Sequence, residues 1–281
     1  MIGTAVAVVG TGRVGLTLAR ALVHSGRSVH LLTRTARPSY PGLPATETDW
    51  TASLAAASLV LVTVPDDAIA AVAATLCRTG AINRSQTVLH TSGLHHRAAL
   101  GALESSGAAL GSLHPLQSFT APDGDAALLL GVPAIVEGDT RAVAVARELA
   151  AALGMGSVIE LPALGKVRYH AAAVVASNYL VVLADLAERL ARGAGAGDAA
   201  ALLFQPIMQQ TLSNIAERGT VAALTGPVRR GDAGTVAAHL ATLGGDDRVA
   251  YLALAREALL LARRAGLAER DARRIEELLA S

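Results

Sequence analysis

The sequence predicts an α/β protein, with a doubly wound parallel sheet over residues 1–162 followed by an all-helical region over residues 163–281. Three observations carry this expectation. Short, β-branched apolar runs alternate with helical apolar periods as far as Leu161, the pattern of strand–helix–strand units in a parallel sheet. A glycine-rich turn joins the first run to the first helical period. Beyond residue 162 the alternation stops, and every apolar period is of helical type.

Residues 5–9 form the first strand and residues 16–23 lie in the first helix. Between them stands Gly10-Thr11-Gly12-Arg13-Val14-Gly15. Gly-x-Gly-x-x-Gly between a strand and a helix is the dinucleotide fingerprint in the context it requires. Gly10 permits the tight turn, Gly12 lets the backbone approach a pyrophosphate, and Gly15 lets the helix pack close to the strand. The helix N-terminus adds free N–H groups and a partial positive charge.

Residues 28–33 read as the second strand. In NAD sites an acid near its end holds the ribose hydroxyls. Here the chain has Thr33, Arg34 and Arg37, with no acid before Glu47. An arginine at this place suits a 2′-phosphate, so the expected cofactor is NADP(H). Residues 36–50 form a surface loop, 54–57 a short helix and 59–64 a buried strand whose end places Val64 and Pro65 over the nucleotide. A helix over 68–76 and a strand over 86–90 follow. Thr91-Ser92-Gly93 then forms a turn, with Ser92 placed to line a substrate pocket. Residues 94–107 are read as helical. His114 precedes a proline, so an extended segment presents its imidazole. A strand over 132–136, a helix over 140–153 and a strand over 157–161 complete the sheet.

Composition excludes several classes. The net charge of +1 gives no electrostatic case for nucleic acid or an anionic membrane. A single cysteine, Cys77, rules out an intramolecular disulfide and fits the cytoplasm. The apolar run 171–184 contains Ser177 and Asn178 and falls short of the ~20 residues of a membrane span, so no membrane partner is expected. His90, His95, His96 and His114 fall in one stretch, yet no cysteine or carboxylate stands beside them at ligand spacing, and no metal is expected.

Of the 24 lysines and arginines only Lys166 is a lysine. Arginine meets every general need for positive charge in this chain. A retained lysine points to a compact ammonium whose pKa burial can shift. In the helical half, residues 166–192, 198–218, 233–241 and 247–279 read as helices, with breaks at 193–197 and 219–231. The segment 171–184 is apolar nearly all round and is expected to be buried on most faces. Lys166, His170 and Ser177 fall within about 40° of one another on a helix, with Asn178 beside that stripe. Between Leu224 and Asp232, turn signals hold Arg229, a candidate clamp for a carboxylate.

At these residues the chain resembles the Rossmann-like proteins whose C-terminal half is a domain of unknown function, relatives of ketopantoate reductase and pyrroline-5-carboxylate reductase. The resemblance rests on Gly10 to Gly15, on His90-Thr-Ser-Gly93, on the stretch from Leu113 to Phe119, on Tyr169-His-Ala-Ala-Ala173 with Ala176-Ser-Asn-Tyr179, and on Leu224 to Asp232. It implies an NADP-binding domain joined to a helical domain of the 6-phosphogluconate dehydrogenase type, often as a dimer. Ketopantoate reductases carry a catalytic lysine on the first long helix of the second domain. Lys166 matches it, whereas His170 stands where that family has asparagine.

The expected activity is NADPH-dependent reduction of a small carbonyl substrate, a 2-oxo acid by preference. Lys166 would stabilise the developing alkoxide and His170 or His114 would supply the proton. Asn178 and Ser92 would position the substrate, and Arg229 would bind its carboxylate. The alternatives are an imine reductase and a non-catalytic NADP-binding sensor or assembly protein. A homodimer is expected, because a helical region of this size is small for burying so apolar a helix alone.

Overall fold

Strands buried on both faces are largely apolar, and that is how the sheet begins. β1 (Ala5–Val9), β2 (Ser28–Leu32), β4 (Leu59–Val62) and β5 (Thr87–His90) are nearly continuous apolar runs. Successive residues of β4 serve opposite faces. Leu59 and Leu61 pack with Leu18, Leu22 and Leu149, while Val60 and Val62 pack with Leu54, Leu76 and Leu103. Truncating one such leucine to alanine typically costs about 2–5 kcal/mol.

The computed structural model describes residues 3–280, which fall into two compact units meeting in sequence at Asn178–Tyr179. The first unit runs β1, α1 (Arg13–His24), β2, β3 (Thr46–Glu47), α2 (Thr51–Ala56), β4, α3 (Ile69–Arg78), β5, β6 (Ala109–Pro115), β7 (Ala134–Gly138), α4 (Thr140–Ala152), β8 (Val158–Glu160) and α5 (Lys166–Ala176). Its eight strands form one sheet in the order β3-β2-β1-β4-β5-β6-β7-β8. The chain order reverses at β1, with β2 on one side and β4 on the other. A crevice therefore opens at the carboxyl ends of these strands, where open α/β sheets bind ligands.

All neighbouring strands are parallel except β6 and β7, which are antiparallel. A parallel return needs a crossover, usually a helix. The connection from Pro115 to Ala134 contains only the short 3₁₀ turn Ala126–Leu129, tied to α1 by the Asp125 N–H donating to the Thr17 hydroxyl at 3.2 Å. Residues 97–106, read as helical, also form a 3₁₀ helix.

The second unit is helical: α6 (Asn178–Gly193), α7 (Ala200–Leu203), α8 (Gln205–Ala223), α9 (Gly226–Arg230), α10 (Ala233–Thr242), α11 (Gly245–Arg264) and α12 (Glu269–Ala280). Val236, Leu240, Leu259, Ala262, Ile275 and Leu279 form its core. α8 leaves helical geometry at Gly219, where φ is +73°. A side chain there would be strained, which is why the helical signal breaks at this glycine.

One reading of the 171–184 segment needs correction. It is not buried by its own chain: Val175, Tyr179, Val181 and Val182 are all exposed, Val181 to 70%. The 14 residues themselves remain short of a membrane span, although the longer stretch Ala163–Gly193 that contains them is, by length and composition alone, long and apolar enough to cross a bilayer. Apolar periodicity reports that a surface will be covered, and leaves open whether the cover comes from the same chain.

Candidate active site

The glycine turn has the geometry of a phosphate cradle. Gly10 has φ of +108°, and a Cβ on it would stand 2.9 Å from the Thr63 carbonyl. A Cβ on Gly15 would lie 2.3 Å from the Gly10 carbonyl and 2.4 Å from the Thr63 hydroxyl, so both positions exclude side chains. Gly12 differs, since a Cβ there would meet nothing within 4 Å. The space beside it is open, as an approaching pyrophosphate requires.

One side of the cradle opens into a cavity of about 750 Å³, lined by Thr11, Thr33, Arg34, Arg37, Asp49 and Trp50 among others. Trp50 is buried, and its indole N–H donates to the Thr33 carbonyl at 3.0 Å, fixing the end of β2. The Thr33 hydroxyl is buried and has no hydrogen-bond partner among the described residues. A buried orphan of this kind is costly unless a ligand satisfies it. Arg34 and Arg37 are exposed, and neither guanidinium has a partner among the described residues. Glu47 faces elsewhere: it takes His30 Nδ1 at 2.9 Å and the Ser53 hydroxyl. Thr33, Arg34 and the fingerprint residues thus form a set able to hold a phosphorylated dinucleotide. Asp49 and Trp50 lay hidden in what reads from sequence as loop.

Val64 and Pro65 line this cavity and also a second one of about 470 Å³. Arg13 and Val14 border the second cavity on the cradle side; Asp66, Ser92, His114 and His170 border it beyond. Both imidazoles crowd Gly93, where a Cβ would lie 2.9 Å from His114 Nε2 and 2.9 Å from His170 Cδ2. His114 Nδ1 is 2.9 Å from the Tyr169 hydroxyl, the rings meeting edge to face at 5.8 Å. Burial lowers the His114 pKa to about 4, assisted by the positive charge of Lys166 and by His170 and opposed by Asp66. Burial also raises the Tyr169 phenol to about 12. At neutral pH this is a phenol beside a neutral imidazole. With the phenol donating to Nδ1, the ring carries its proton on Nε2, facing the cavity.

Beneath the cavity lies a row of buried polar groups. His90, Ser112 and Glu137 are neighbours in register across β5, β6 and β7. The Ser92 N–H donates to His90 Nδ1 at 3.2 Å, so His90 Nε2–H donates to the His96 carbonyl at 3.2 Å. Burial lowers the His90 pKa to about 3, with Lys166 next in effect. Both ring nitrogens are engaged within the protein, and neither is free to ligate a metal.

Sequence reasoning put the Lys166 ammonium against the substrate. The structure instead buries it fully in this lower layer, with Nζ donating to the Ser92 carbonyl at 2.9 Å and to the Ser112 hydroxyl at 2.6 Å. Burial brings its pKa down to about 8, with Glu137 and Asp66 acting in the opposite sense.

Comparison with known families follows this geometry. Residues 3–115 match the model of a Rossmann-like domain, and residues 132–258 match that of a domain of unknown function (DUF2520). The chain thus carries a Rossmann-like domain followed by a DUF2520 domain. A search of curated proteins finds no match. Among solved structures, protein TM1727 from Thermotoga maritima is similar over 92% of this chain and 99% of its own, at 23% identity and a TM-score of 0.68. A Bacteroides fragilis protein, provisionally assigned as an NADP oxidoreductase, covers 93% of this chain and 97% of its own at 23% identity, with a TM-score of 0.66. The Plasmodium falciparum pyrroline carboxylate reductase with NADP bound covers 100% and 98% at 12% identity, with a TM-score of 0.56. At these identities the likeness is one of fold.

In this Rossmann-like DUF2520 chain, the structure gathers Ser92, His114 and His170 around one cavity, with Lys166 under its floor. Ser92 is buried, and its hydroxyl accepts the Leu94 and His95 N–H groups at 3.1 and 3.0 Å, which leaves its own proton free to donate. Asn178, expected to reach a pocket from the side, is exposed and lines neither cavity of the first unit. Arg229 belongs to the second unit, in a hollow with Arg230, Thr225 and Asp271. Tyr169, Ser112, Glu137 and Asp66 were missed as site residues. Tyr169 is the one with a legible signal, a single residue before His170 on the same helix.

Proposed function

We propose that the protein is an NADPH-dependent reductase of a small carbonyl compound, with 2-oxo acids as the class to test first. The observation that carries this reading is the cavity bordered by the phosphate cradle on one side and by His114 and His170 over Gly93 on the other. The orphaned Thr33 hydroxyl and the open space beside Gly12 fit a dinucleotide. Arg34 and Arg37 at the end of β2 favour the 2′-phosphorylated form, with Asp49, whose carboxylate accepts the Thr51 N–H, the acid of the same cavity. When bound, NADPH supplies a hydride to the carbonyl carbon and leaves as NADP⁺.

This chain's residues do the rest. A neutral His114 donates from Nε2 to the carbonyl oxygen and stabilises charge developing there, as a neutral imidazole can. His170, across Gly93, is placed to pass a proton to that oxygen, and the Ser92 hydroxyl orients the substrate. Arg13 is the cation that a substrate carboxylate meets in this cavity. A second copy of the chain covers the apolar side chains that α6 and α8 expose: α8 has no buried residue along 19 positions, and a helix this poorly covered is marginal in water. We therefore read the protein as a homodimer.

Asp66 favours a second reading. A carboxylate in the same cavity as the neutral His114 suits an iminium, so reduction of a cyclic imine stands next. One experiment separates these readings. NADPH binding is measured calorimetrically, and NADPH oxidation is followed against panels of 2-oxo acids and cyclic imines. The first reading expects turnover with the acids, lowered at least ~100-fold in His114→Asn and His170→Asn with NADPH affinity intact. Turnover with imines alone selects the second reading. Tight NADPH binding with no turnover on either panel overturns both in favour of a non-catalytic sensor.

A further inference from the structure

The largest fully buried side chain among the described residues is a lysine. Its stem packs at no electrostatic cost, but an ammonium removed from water must be compensated. Compensation here comes from two neutral oxygens, the Ser92 carbonyl and the Ser112 hydroxyl. Glu137 and Asp66 attract it from a distance, and neither forms an ion pair with it among the described residues. Lysine is suited to such a place because its charge is compact and its donors rotate, whereas arginine needs a planar fork of partners.

What the ammonium holds is the floor of the cavity. The Ser92 carbonyl precedes Gly93, on which His114 Nε2 and His170 Cδ2 rest. Ser112 lies between His90 and Glu137 in the buried row. We propose that Lys166 is a positioning residue: lodged under the Ser92–Gly93 turn by its bonds to the Ser92 carbonyl and the Ser112 hydroxyl, it fixes the floor on which the two imidazoles stand. From that place its charge also opposes protonation of the His114 ring, after burial. The groups facing His114 are Lys166, Tyr169 and His170 from α5, and Asp66 from the segment after β4. Those facing Lys166 are Glu137, Asp66, His90 and His114. Asp66 alone favours a charged His114, and it is outweighed by burial together with Lys166 and His170. The consequence is a ring that donates a hydrogen bond as neutral imidazole throughout the physiological range.

A role in turnover rests on the reductase reading, but the electrostatic role does not, and it is tested without substrate. The His114 ring is followed by NMR in the unmodified protein and in Lys166→Met, which keeps the length of the stem and removes the charge. In the unmodified protein, the His114 resonances show an inflection near pH 8 as Lys166 loses its proton, and the ring stays neutral down to about pH 5. In Lys166→Met the inflection near pH 8 disappears, and protonation of His114 begins about one unit higher. Unchanged His114 behaviour in the variant overturns the proposal. So does the absence of the upper inflection in the unmodified protein, which decides the matter by itself should the variant fail to fold. Both inflections in a protein inert toward all carbonyls and imines would sink the reductase reading and leave Lys166 in this role.

Discussion

Lowering the pH should destabilise the first unit steeply, and two histidines account for it. His90 and His114 are held at pKa values of about 3 and about 4, against 6.5 for an ordinary imidazole, first by burial and then by Lys166. The folded pKa is depressed in both cases. The stabilising contribution is therefore complete above pH 6.5 and is lost as the pH falls toward the folded values, because the unfolded chain takes up protons that the folded one refuses. Each histidine costs about 1.4 kcal/mol per pH unit in this window, so the pair costs about 2.7 kcal/mol per unit. At about pH 5 the loss reaches roughly 4 kcal/mol, a large share of the 5–15 kcal/mol typical of a domain. Ordinary carboxylates titrate mostly below that pH, which leaves the window to histidine. Trp50, the single tryptophan, is buried in the same unit and reports on it by fluorescence during urea unfolding. An unfolding free energy that changes by less than about 1 kcal/mol between about pH 7 and pH 5 would refute the argument.

Three further outcomes are expected. Arg34→Ala should remove most of a preference for NADPH over NADH, about ten- to a hundredfold by the worth of a charged hydrogen bond, and equal affinity of the unmodified protein for both cofactors would contradict it. Gly93→Ala places a methyl 2.9 Å from both imidazoles and should lower turnover by about 10² while NADPH affinity, set at the cradle, stays unchanged; full activity would mean that the rings do not act there. Light scattering at micromolar concentration should report a dimer that Val181→Glu and Ile207→Glu weaken, since both side chains are exposed on α6 and α8, and a monomeric unmodified protein would end that reading.

Much of the sheet was legible because its signals are local. A strand buried on both faces declares itself as an apolar run, and β1 and β4 do so without a break. The fingerprint carries its own context, and a Cβ would clash at Gly10 and Gly15 but meet open space at Gly12. The direction of β7 was not legible, since it depends on a connection that packs on α1 through Thr17 instead of crossing the sheet as a helix. The exposure of α6 was equally hidden. Its apolar residues demand cover, and a single chain's sequence does not say whose surface supplies it.

Lys166 marks the limit most clearly. Its rarity among arginines pointed to a need for an ammonium, and the burial of that group agrees with the physical reason given for keeping it. Whether the ammonium lies in the cavity or beneath it depends on Ser92 and Ser112, which stand 74 and 54 residues away in sequence. No helical periodicity contains that information, because it depends on which distant residues the side chains of α5 reach, Ser92 and Ser112 for Lys166 and His114 for Tyr169. His170, one turn further along α5, reaches the cavity that Lys166 does not. One helix thus contributes a side chain to each layer, a cation below and an imidazole above. Placing the ammonium below leaves a neutral His114 as the preorganised donor over Gly93, and a hydrogen bond to a developing oxyanion gains most where the donor is held in place and water is excluded.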